Sequence, residues 1–138
     1  VFNEEDSLPI LNQKLIDVME KDGRFFEIIY VDDGSSDKSA DIIKDLAEHN
    51  AMVKGVILRR NFGQSAATAA GIDYASCDII VIMDSDLQND PADIPSLLQF
   101  SYGSPAPGWS HRCLRSSPAA RSRGSPGRPG WQKTSQLP

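Results

Sequence analysis

Two apolar runs in this chain each stop abruptly at carboxylates. Phe26-Glu27-Ile28-Ile29-Tyr30-Val31 ends in Asp32-Asp33, and Ile79-Ile80-Val81-Ile82-Met83 ends in Asp84-Ser85-Asp86. Short runs rich in β-branched residues and closed by turn formers read as buried strands. Helical patterns lie between and around them. Leu8, Leu11, Leu15 and Val18/Met19 recur at helical spacing up to Gly23, with Ser7 as the expected N-cap and Pro9 in the first turn. A second helix is expected from about Lys38 to His49, with Ala40, Ile43, Leu46 and Ala47 on one face. Val53 to Leu58 is a further strand, Gln64 to Ala75 an Ala-rich helix, Asp78 to Met83 a strand, and Ala92 to Phe100 the opening of another helix. This alternation predicts right-handed crossovers and an α/β fold with a parallel sheet and helices on both faces. Near-continuous apolar strands suit a sheet that is covered on both sides.

Length leaves room for one domain with a core. The chain opens without Met, and Val1-Phe2 reads as the end of a truncated first strand. The net charge of −5 conceals an asymmetry: all 19 acidic residues precede position 94, and residues 101–138 hold six basic residues and no acid. The acidic part argues against a nucleic-acid groove and admits anionic substrates only through a cation. Cys77 and Cys113 have no partners at ligand spacing, so neither a disulfide framework nor a zinc site is expected, and Cys77 is expected to pack as a small apolar residue. No run is long enough to span a bilayer, and no signal peptide opens the chain.

Residues 1–100 are therefore expected to form a partial domain and residues 101–138 a disordered basic tail. In that tail 24 of 38 residues are Ser, Pro, Gly or Arg, with no Val or Ile, so too little apolar area exists to offset chain entropy. The abrupt change suggests the hypothesis of a GC-rich coding segment read out of frame. Nucleotide sequence in which no single-base shift restores a patterned α/β continuation would refute it.

Carboxylates at the carboxyl ends of strands sit where open α/β sheets bind ligands. Alternation puts Asp84 and Asp86 on one side of an extended chain, with Gln88 following if the extension persists. Three oxygen donors at this spacing suit a hard divalent cation, which in such a crevice usually carries a phosphate. The alternative is that Asp86 and Asp90 are solvated caps of the helix opening at Pro91. Asp32-Asp33-Gly34-Ser35 lies at the same edge, where an acid can accept a ligand N–H such as that of a uracil or guanine ring; it can equally be a turn without a ligand. Arg59-Arg60-Asn61-Phe62-Gly63-Gln64-Ser65 leads into the Ala-rich helix as an anion site or an ordinary cap. Asn3-Glu4-Glu5-Asp6 would add a third piece of the rim. His49 and His111 have no partners at useful spacing, and serine-hydrolase, dinucleotide and phosphate-loop motifs do not occur.

Taken together, Phe2-Asn3-Glu4-Glu5, Val31-Asp32-Asp33-Gly34-Ser35-Ser36-Asp37, Arg59-Arg60-Asn61-Phe62-Gly63-Gln64 and Met83-Asp84-Ser85-Asp86-Leu87-Gln88-Asn89-Asp90-Pro91 resemble family 2 glycosyltransferases, in the polyprenyl-phosphate branch related to dolichol-phosphate mannose synthase. The resemblance covers residues 1 to about 99. It implies the nucleotide-sugar half of a GT-A fold, with Asp84, Asp86 and Gln88 holding Mg²⁺ or Mn²⁺ against the donor diphosphate. It also implies that Asp33 contacts the base beside Val31, that Phe2 and Glu4 line the nucleoside pocket, and that Ser85 and Asn61 border it. The activity implied is inverting transfer of a sugar from a UDP-sugar or GDP-mannose to a polyprenyl phosphate, at the cytoplasmic face of a membrane. Residues that would serve the acceptor are not recognisable after Phe100, and in the resembled sheet the first strand lies between the second and the fourth. A poor or inactive catalyst of marginal stability is therefore expected.

A response-regulator receiver domain is the rival reading, with an acidic pair after one strand and a Mg²⁺-binding Asp after a later one. It calls for a Lys after a further strand, which does not follow here. A haloacid-dehalogenase-type phosphatase would place Thr or Val where this chain has Gln88, and would put its Asp-x-Asp on the first strand.

Overall fold

In a computed structural model the chain is described over residues 1–102 and at Gln132–Lys133. Helix α1 spans Ser7–Asp22, strand β1 Ile28–Asp32, α2 Ser39–His49, β2 Val53–Ile57 and α3 Gln64–Tyr74. A 3₁₀ turn over Pro91–Asp93 leads into α4, Ile94–Tyr102, and a two-residue β3 lies at Gln132–Lys133.

Strands β1 and β2 pair in parallel, with Ile28 opposite Val53 and Asp32 opposite Ile57; β3 adds antiparallel to β2. Strand alternation explains the packing. Tyr30 and Val53 point to the side covered by α1 and α2, where they join Leu8, Leu11 and Ile43 in one cluster. Val56 and Leu58 point to the other side with Ala67 and Ala70 of α3, flanked by Ile29 and Val31. Small residues on α3 let it lie close to β1, and a Cβ on Gly71 would come within 3.3 Å of the Val31 side chain. The expected α/β arrangement with helices on both faces is therefore present, and it is consistent with part of a GT-A fold.

Three local expectations are corrected. Ser7 is the first residue of α1 rather than its cap; Asp6 takes the N-cap position without a side-chain hydrogen bond, while the Ser7 hydroxyl donates back to the Glu4 carbonyl at 3.2 Å. Cys77 does not pack as a free apolar thiol but is disulfide-bonded. Most importantly, residues 78–83 form no strand. They have the composition of one, yet no ladder partner lies beside them among the described residues, and Ile80, Val81 and Ile82 remain 43 %, 41 % and 63 % exposed. Among the described residues the edge of β1 away from β2 is met by Val1, whose amine donates to the Val31 carbonyl and whose carbonyl accepts from Asp33 N–H, both at 2.9 Å. Of the expected disordered tail, Ser101 and Tyr102 instead close α4 and Gln132–Lys133 form β3; the rest lies outside the described residues.

Candidate functional site

The rim at the carboxyl ends of β1 and β2 is built from four segments joined by three sets of hydrogen bonds. The first tie joins residues 3–5 to the loop after β1. Asn3 N–H donates to Ser35 Oγ at 2.9 Å, Asn3 Oδ1 accepts from Ser36 N–H at 2.9 Å, and Glu4 N–H donates to Ser39 Oγ at 2.8 Å. Glu5 and Asp37 complete it: Glu5 N–H donates to Asp37 and Lys38 N–H donates to Glu5. Asn3 adopts a left-handed backbone, φ 54°, which an Asn tolerates better than most side chains.

The second tie runs from β1 to the loop after β2. Asp33 is 5 % exposed, and its two carboxylate oxygens accept from Phe62 N–H at 2.8 Å and Gly63 N–H at 2.9 Å. Gly34 turns the chain at φ 71°, and a Cβ there would lie 2.4 Å from the Arg60 carbonyl carbon. Glycine is thus required twice over, by conformation and by the close approach of the two loops. Asn61 Oδ1 shares the Gly63 N–H at 3.1 Å, and the Arg60 guanidinium stacks 4.8 Å from the centre of the Phe62 ring.

The third tie brings in the acidic cluster. Gln64, first residue of α3, donates from its amide to Asp84 Oδ1 at 3.4 Å. Asp84 and Asp86 are exposed and Ser85 half-buried. The extension that would have aligned Gln88 with them does not persist: Leu87 turns to φ 63°, and Gln88 N–H donates to Asp86 Oδ1 at 3.0 Å. Asp90, not Asp86, caps the following turn, accepting from Ala92 N–H at 3.0 Å. The cap alternative therefore accounts for Asp90 and leaves Asp84 and Asp86 without a capping role.

Electrostatics concentrate on this edge. Burial pulls the Val1 amine below its ordinary pKa, and Asp32, Asp33, Glu4 and Asp84 oppose that pull, so four carboxylates from three segments act on one point. Asp32 is 1 % exposed; one oxygen accepts from Ser35 N–H at 3.2 Å and the other is buried with no partner among the described residues. Sequence reasoning gave Asp32 no role of its own. The available signal was alternation, which turns Asp32 to the Tyr30 side and Asp33 to the Val31 side.

No group of three His, Cys, Asp or Glu that could hold a metal occurs among the described residues. Asp84 and Asp86 each keep a carboxylate oxygen outside the hydrogen bonds just described. Two carboxylates completed by water and ligand phosphates suit Mg²⁺-like coordination rather than an all-protein cage. Of the other expected site residues, Phe2 and Glu4 lie on the first segment, Val31 at the end of β1 and Asn61 on the loop after β2. All nine expected site residues thus belong to segments that meet at this edge, although Gln88 follows the turn at Leu87.

Residues 1–107 match Glycosyl transferase family 2. The chain belongs to that family. It is 41 % identical over 102 residues to an undecaprenyl-phosphate 4-deoxy-4-formamido-L-arabinose transferase of Pectobacterium atrosepticum, covering 73 % of this chain and 31 % of the relative. Proteins of the same description from Shewanella sediminis and Pseudomonas paraeruginosa are 43 % identical over 99 residues and 45 % over 100, covering 71 % and 72 % of this chain and 30 % of each relative. The chain spans about a third of the length of these curated relatives. Nothing in these matches supports the receiver-domain alternative. No helix among the described residues is long and apolar enough to cross a membrane.

Proposed function

We propose that this chain carries the nucleotide-sugar part of an inverting transferase that moves a sugar from a UDP-sugar or GDP-mannose donor to a polyprenyl phosphate, undecaprenyl or dolichyl, at the cytoplasmic face of a membrane. The observation that carries the reading is the tied rim. Asn3, Asp33 and Gln64 link four segments, and Asp84 and Asp86 stand exposed on one of them. The relatives' names, each a transferase with undecaprenyl phosphate, support the acceptor class.

In this reading Asp84 and Asp86, with Gln88 as a neutral oxygen donor, would hold Mg²⁺ or Mn²⁺. Such an ion, when bound, supplies a Lewis acid that offsets charge on the departing nucleoside diphosphate. The chain's own residues do the positioning. Asp33 uses two oxygens on backbone N–H groups, and a carboxylate has about four acceptor sites, so lone pairs remain for a base N–H. Phe2, half exposed, would offer an apolar face to the nucleoside. The acceptor phosphate is already anionic at neutral pH, its second pKa being about 6, so it attacks with little need of a protein base. Nucleic acid is not a partner in this scheme.

Titration of the 138-residue chain with UDP-sugars and GDP-mannose tests the reading. Saturable binding that requires Mn²⁺ and is lost in Asp86→Ala is expected. Binding that ignores the cation, or that survives Asp86→Ala, would overturn it; beryllofluoride binding in place of nucleotide would favour the receiver.

A further inference from the structure

Residues 3–5 belong to no helix or strand, yet each of their N–H groups is taken by a side chain from the stretch 35–39. Asn3 N–H donates to Ser35 Oγ at 2.9 Å, Glu4 N–H to Ser39 Oγ at 2.8 Å and Glu5 N–H to Asp37 Oδ2 at 3.1 Å. The same stretch answers in the other direction, Ser36 N–H donating to Asn3 Oδ1 and Lys38 N–H to Glu5 Oε2, both at 2.9 Å.

The three acceptors are themselves braced. Ser35 N–H donates to the buried Asp32 at 3.2 Å, Ser39 N–H donates to Asp37 Oδ1 at 2.9 Å, and Ser39 has no exposure. Helices and strands fix their residues by ladders of backbone bonds, and a segment without a ladder keeps its freedom unless side chains supply the partners. Here they also hold Asn3 at φ 54°, a conformation that persists only where the surroundings over-determine it. Ser35 lies two positions after Asp33, so residues 3–5 are fixed relative to that carboxylate.

We propose that Ser35, Asp37 and Ser39 are positioning residues for the nucleoside, setting Phe2 and Glu4 against Asp33 before a nucleotide arrives; this rests on the nucleotide-sugar function proposed for the rim. Walls already in place spare the ordering cost that a loose segment would incur on binding. In this scheme the diphosphate is held by the cation at Asp84 and Asp86, so the effect of the three residues falls on the nucleoside end.

Calorimetric titration of the 138-residue chain with UDP and GDP in Mn²⁺, and with inorganic pyrophosphate as competitor, separates the two ends. Ser39→Ala should weaken binding of the better nucleotide about tenfold and leave pyrophosphate within about twofold. Ser35→Ala, at a half-buried site, should act in the same direction but less, and Ser35→Thr, which keeps the hydroxyl, should restore binding. Nucleotide affinity unchanged in both Ala variants, an equal loss for pyrophosphate, or a Ser35→Thr chain that behaves like Ser35→Ala would each overturn the proposal while leaving the functional reading intact. A wild-type chain that binds no nucleotide, or whose nucleotide pyrophosphate does not displace, would overturn both.

Discussion

The β1–β2 pair and the segment at 78–86 begin from the same kind of sequence and end differently. Both offer a β-branched run that terminates in acids. The first is paired along its length, covered on one face by α1 and α2 and on the other by α3, and its terminal acids are locked by backbone N–H groups. The second has the pattern but no paired strand among the described residues, so Ile80, Val81 and Ile82 stay open to solvent and its acids are held by one amide contact and one local turn. A strand is a relation between two segments, and a one-dimensional pattern supplies only one of them.

The contrast is sharpest in core energetics. Ile43→Ala, at a position with no exposure, should cost ~2–5 kcal/mol of stability. Ile82→Ala should change stability by no more than ~0.5 kcal/mol, as at an ordinary surface site. Urea denaturation of both variants measures the difference, and equal costs would mean that 79–83 is packed like β1.

A smaller effect separates two glycines of similar conformation. Gly34 and Gly23 have φ of 71° and 75°, but a Cβ at Gly34 collides with the Arg60–Asn61 backbone whereas one at Gly23 meets nothing within 4 Å. Gly23→Ala should cost about 1 kcal/mol for the left-handed backbone alone. Gly34→Ala should cost clearly more and should loosen the amides of Phe62 and Gly63, as read by hydrogen exchange. Similar costs would remove the close approach of the two rim loops from the account.

The smallest expected effect is a pH response within the rim. Some desolvation raises the Asp37 pKa, but hydrogen bonds from Ser39 and from Glu5 N–H outweigh it and hold the carboxyl below its ordinary value. A depressed folded pKa contributes stability above the unfolded value, near 3.9, and that contribution fades as pH falls through the folded one. The Glu5 amide should therefore lose exchange protection in acid before the β1 and β2 amides do, and Asp37→Asn should flatten that loss. Simultaneous loss would mean that the tie is not separable from the sheet.

Much of this was readable before any coordinates. Period and punctuation locate α1, α2, α3 and the two paired strands to within a residue or two, because each buries one apolar face against another. The motifs Asp32-Asp33-Gly34-Ser35, Arg59 to Gln64 and Asp84 to Asp86 also identify the rim, since short turns after parallel strands must converge on one edge. Other features depend on distant backbone and left no local trace. The engagement of Asp33 with Phe62 and Gly63 N–H, the pairing of Asn3 with Ser35 and Ser36, and the turn at Leu87 that separates Gln88 from its expected alignment are of this kind. The unpaired state of 78–83 belongs with them.

The central claim is that Asp84 and Asp86 hold a cation-bound nucleotide against the rim formed by residues 2–4, Asp33 and Asn61. Mn²⁺ added to the ¹⁵N-labelled chain with UDP or GDP tests it directly, because the ion broadens nearby amide signals. Broadening should centre on residues 84–86, extend to Phe2, Glu4, Asp33 and Asn61, and disappear in Asp86→Ala. Broadening centred instead on the exposed acids of α2, Asp41, Asp45 and Glu48, or unchanged in Asp86→Ala, would contradict it.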